Sequence, residues 1–69
     1  MKSKEIIQTI ENAFIKNHYK MDSASTQEDR QYFAGLSLEL ADLLATIYGT
    51  SQDAELERLY KKYNLFKEA

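Results

Sequence analysis

Thr26 to Gly49 reads TQEDRQYFAGLSLELADLLATIYG, a stretch without proline that decides the fold. At about 100° per residue, a helix here gathers Phe33, Leu36, Leu40, Leu43 and Ile47 into one seam with Leu44 beside it. Ala34, Leu38, Ala41, Ala45 and Tyr48 form a second seam, spaced four-three-four-three as in a coiled coil. With Tyr32, the two seams take about two-thirds of the circumference, more than the apolar stripe of an ordinary surface helix. Glu28, Gln31, Gly35, Glu39, Asp42 and Thr46 share the narrow polar remainder. Such a helix needs cover on two sides. The leucine seam is expected to meet the rest of the chain. The alanine seam is expected to meet a second copy, since small side chains let backbones approach closely; the alternative is that helix 2 is central, with helices 1 and 3 wrapped on either side.

Working outward, Ser25-Thr26-Gln27-Glu28 has the form of a capping box, and Gly49 suits a left-handed helix stop. Upstream, Ile6, Ile7, Ile10, Ala13, Phe14 and Met21 recur at helical spacing behind a possible Ser3 cap, with Glu5 in the first turn. Downstream, Thr50 or Ser51 can cap a third helix whose apolar face is Leu56, Leu59, Tyr60, Tyr63 and Phe66, with Asn64 as an alternative early stop. The expectation is an all-α fold: a single domain over residues 1–69, with helices at about 3–20, 26–48 and 52–66. Short connections predict a small up-down-up three-helix bundle with a long central helix 2, which dimerises.

Composition narrows the function. A chain of 69 residues lies near the lower limit for a self-sufficient core. It has no cysteine for a disulfide and a single histidine, which disfavours structural zinc. Cover from a second copy would relieve that shortage of core. With 9 basic and 11 acidic residues the net charge is −2, so nothing in the balance points to a polyanion. No apolar run is long enough for a signal peptide or a membrane span, and a cytoplasmic location is expected.

The candidates for chemistry are few. Glu39 and Asp42, one turn apart with Glu28 beyond them, read as a solvated face rather than an acid–base pair. His18 is expected at the edge of the helix 1 stripe, partly exposed near the helix end. Ile15 and Tyr19 lie off the main stripe of helix 1 and form a possible partner patch. Leu44 to Ser51 followed by helix 3 has the small-residue, glycine-turn form of a helix-turn-helix, but Asp53, Glu55 and Glu57 would front its recognition helix. Glu57 and Lys61 read instead as an ordinary pair one turn apart. No catalytic residue, metal ligand or cofactor site is expected. The sequence favours a small acidic protein–protein interaction module, a homodimer acting as a regulator, inhibitor or accessory subunit. The alternative is a helix-turn-helix-like nucleic-acid-binding regulator.

Overall fold

The computed structural model describes residues 3–66. Among them it is all-helical: α1 spans Ser3–Ser23, α2 Gln27–Tyr48 and α3 Gln52–Lys62. Helix α1 runs three residues beyond the expected end at residue 20, and the Ser23 hydroxyl donates back to the Tyr19 carbonyl. The cap of α2 sits one residue later than the capping box implied. Thr26, in extended conformation, accepts from the Asp29 amide at 3.1 Å. Gly49 ends α2 in the left-handed region at φ 71°, and the Thr50 amide reaches the Ala45 carbonyl at 2.9 Å. Ser51 caps α3 by accepting from the Ala54 amide. Helix α3 stops at Lys62 instead of residue 66. Asn64 adopts φ 54°, and the Leu65 amide closes on the Tyr60 carbonyl. Asparagine tolerates that conformation better than most side chains do.

Helices α1 and α2 form an antiparallel hairpin. Ile6 and Ile7 lie beside Ile47 at one end, while the Lys20 ammonium sits 5.7 Å from the Phe33 ring centre at the other. The third helix departs from the expected up-down-up path. It begins against α2, where Gln52 donates to the Leu38 carbonyl, and ends against α1, where Lys62 and Tyr63 reach Glu11. Thus α3, which packs chiefly on α2, slants over one face of the hairpin and reaches α1 at its C-terminal end. At 11 residues it is half as long as α2, so running parallel would leave much of the hairpin bare. Crossing lets it touch both helices. The slab that results measures 37 × 25 × 17 Å.

Phe14, Ala41, Leu44, Leu59 and Leu65 form the buried core, with Ile7, Ile10, Ile15, Leu40, Leu56, Tyr60 and Tyr63 packed around it. Three placements differ from expectation. Ile15 packs against the core instead of belonging to a free patch, while Tyr19 is exposed. His18 is buried, stacked on Phe14 and meeting Tyr60 edge-on. Phe66 is exposed, and its expected place is taken by Leu65.

Candidate functional site

The alanine seam does not form one surface. Ala41 and Ala45 are enclosed by the chain's own packing, Ala34 is half-buried, and Leu38 and Tyr48 remain exposed. Alanines let α1 and α3 approach α2 closely, so the small side chains serve the intrachain contact. The leucine seam then turns partly outward: Leu43 is 47% exposed and Ile47 46%, with Leu36 and Leu40 half-buried. At helical spacing, Leu36, Leu43 and Ile47 lie roughly half a turn from Leu38, whose carbonyl accepts from Gln52 at the start of α3. They therefore face away from α3. Ile6 of α1, 41% exposed, adjoins Ile47 and extends this apolar face across the hairpin.

A second apolar surface lies on the α3 side. Because α3 crosses the hairpin, it leaves a groove beside it of about 330 Å³ lined by Leu38, Leu56, Glu57, Tyr60 and Phe66. The groove continues inward past Met21, Ala34 and Ser37 to His18. The Ser37 hydroxyl is buried here without a hydrogen-bond partner. Asp22, whose carboxylate lies 3.6 Å from His18 Nε2, stands at the far end.

The sequence reading missed a buried charged cluster that fixes α3 in its crossing position. Glu11 is 1% exposed and accepts from Arg58 at 2.8 Å, from Lys62 at 2.7 Å and from the Tyr63 hydroxyl. Glu55, also buried, accepts from Arg58 Nε at 2.7 Å. Burial alone would raise the Glu11 pKa. The hydrogen bonds from Lys62, Tyr63 and Arg58 outweigh it and bring the carboxyl down from 4.5 to about 2. Bonding to Glu55, opposed by burial and reinforced by Glu11, raises the Arg58 pKa. Bonding to Glu11 also raises that of Lys62. The signal was present in the sequence, since Glu11 and His18 occupy the same stripe as Ile7 and Phe14. A polar residue on an apolar stripe either breaks it or is paired within it, and only the position of α3 decides which.

This cluster changes the account of α3 as a recognition helix. Glu55 faces inward, and Arg58 and Lys62 are held by Glu11. Asp53, Ala54, Glu57 and Lys61 are exposed, with Glu57 and Lys61 paired at 2.9 Å, and Lys62 is exposed as well while it reaches Glu11. Glu28, Glu39 and Asp42 are exposed as expected. No group of three or more His, Asp or Glu side chains suited to a metal ion occurs among the described residues. No described helix is long and apolar enough to cross a membrane. No family model, characterised protein or solved structure matches this chain.

Proposed function

We propose that this protein is a cytoplasmic helical interaction module that acts by binding another protein and works as a homodimer. The observation that carries the reading is apolar exposure on both faces of so thin a slab. Ile6, Leu43 and Ile47 stand on one face, and Leu38 and Phe66 flank the groove on the other. Contiguous exposed apolar surface on a small protein is characteristic of interaction sites. The groove offers a partner apolar walls and one unsatisfied hydroxyl at Ser37, a pattern suited to an amphipathic segment carrying a hydrogen-bonding group. A regulator, an inhibitor or an accessory subunit would use such surfaces. Among the described residues no arrangement of nucleophile, base and oxyanion donor supports an enzyme.

The second reading, a nucleic-acid-binding regulator, draws on one feature: α3 crosses the hairpin after a short turn at Gly49, as a recognition helix would. Its cations weigh against that use, because Lys61 is paired with Glu57, Arg58 and Lys62 are held by Glu11, and Asp53 stands at its exposed start. The test is capture from a nuclease-treated extract of the source cells on immobilised protein, comparing wild type with Leu38→Lys and Phe66→Ser. The proposal expects a protein retained by wild type and lost by both variants while their circular dichroism stays unchanged. Retention of nucleic acid without nuclease, released by moderate salt, together with no retained protein, would favour the second reading.

A further inference from the structure

We infer that a second copy of this chain seats on the α1/α2 face opposite α3, closing a four-helix bundle in which each α1 lies over its partner's α2. The inference rests on the interaction-module reading and assigns one of its two surfaces. Three observations support it, beginning with position. Helix α3 covers only one side of the hairpin, so the other side keeps Leu43, Ile47 and Ile6 exposed. Spacing comes next. Leu36, Leu40, Leu43 and Ile47 follow each other at four, three and four residues, the interval that keeps a seam on one side of a helix packed against another.

Charge then selects the arrangement. Lys16 and Lys20 are exposed and at helical spacing border this face on α1, while on α2 exposed Asp29 lies in line with Ile47 and exposed Glu39 borders the face. The contact of Lys20 with Phe33 sets the lysine-bearing half of α1 level with the acidic half of α2. A two-fold axis running along the hairpin would keep that level and bring the basic edge of each copy over the acidic edge of the other. The other two-fold arrangement lays the acid-edged α2 upon itself. The first is self-complementary, as an isologous interface must be.

Sedimentation equilibrium of the intact chain tests this. Wild type should be dimeric at about 100 μM, and Leu43→Glu should raise the dissociation constant about tenfold or more. Leu38→Glu, on the α3 side, should leave it within about twofold. Should Leu43→Glu fail to fold, the doubly exposed change Lys16→Glu with Lys20→Glu reads the same face. It should weaken the dimer, and adding Glu39→Lys should restore part of the loss. A monomeric wild type overturns the inference, as does a folded Leu43→Glu that dimerises normally, or a Leu38→Glu that dissociates as readily as Leu43→Glu. These failures differ from failure of the broader reading: a monomer that still captures a protein through the groove remains an interaction module.

Discussion

At the scale of single residues, Glu11 is where stability and pH dependence meet. Its carboxylate is buried, yet Arg58 and Lys62 of α3 and Tyr63 just beyond it hold its pKa at about 2 instead of 4.5. A folded-state pKa below the unfolded value means that the unfolded chain binds the proton more readily. The contribution of Glu11 is therefore complete above about pH 5 and is lost as pH falls from about 4.5 towards 2, amounting to about 3 kcal/mol. Urea unfolding of Glu11→Gln beside wild type should show a gap of that order at neutral pH, closing on acidification through this window. A gap that stays constant to pH 2 would show that the effect is not electrostatic. Glu11→Ala should cost about 3–5 kcal/mol, because it also leaves Arg58 and Lys62 without their shared partner. A loss below about 1 kcal/mol would contradict the account of the cluster. The sequence showed a glutamate on an apolar stripe; it could not show that Arg58, forty-seven positions later, would come to meet it.

At the scale of elements, the helices themselves were largely legible and their ends were not. Apolar spacing located α1 and α2, and Gly49 stopped α2 where its freedom at positive φ suggested. The capping box at Ser25 lost to Thr26 because the two hydroxyls compete for adjacent amides, a choice that sequence pattern alone does not resolve. Thr26→Ala should therefore destabilise the fold by about 1 kcal/mol while Ser25→Ala changes it little. Equal losses in thermal melts would return the cap to Ser25. Gly35 lies within α2, and a methyl group added there would meet nothing within 4 Å. Gly35→Ala should stabilise by about 0.5–1 kcal/mol through helix propensity alone, and a lower melting temperature would reveal a contact made in the dimer. The end of α3 was legible only as a choice, and Asn64 took the left-handed turn.

At the scale of the molecule, the two seams of α2 were legible while their destinations were not. Both were apolar and both were regularly spaced, so hydrophobicity could not rank them. Side-chain size did. Ala41 and Ala45 admit α1 and α3 at close range, and the bulkier Leu43 and Ile47 are left facing outward. The crossing of α3 was equally hidden, since it depends on the long-range contacts of Lys62 and Tyr63 with Glu11. The central claim is that this outward leucine face is the surface at which two copies meet. An isotope-filtered nuclear Overhauser spectrum of a mixture of labelled and unlabelled chains tests it most directly. The expected result is intermolecular contact from the Leu43 and Ile47 methyls to α1 of the other copy, with none from Leu38 or Phe66. Intermolecular contacts confined to Leu38 and Phe66, or no contacts at about millimolar protein, a concentration at which even a weak dimer is populated, would contradict it.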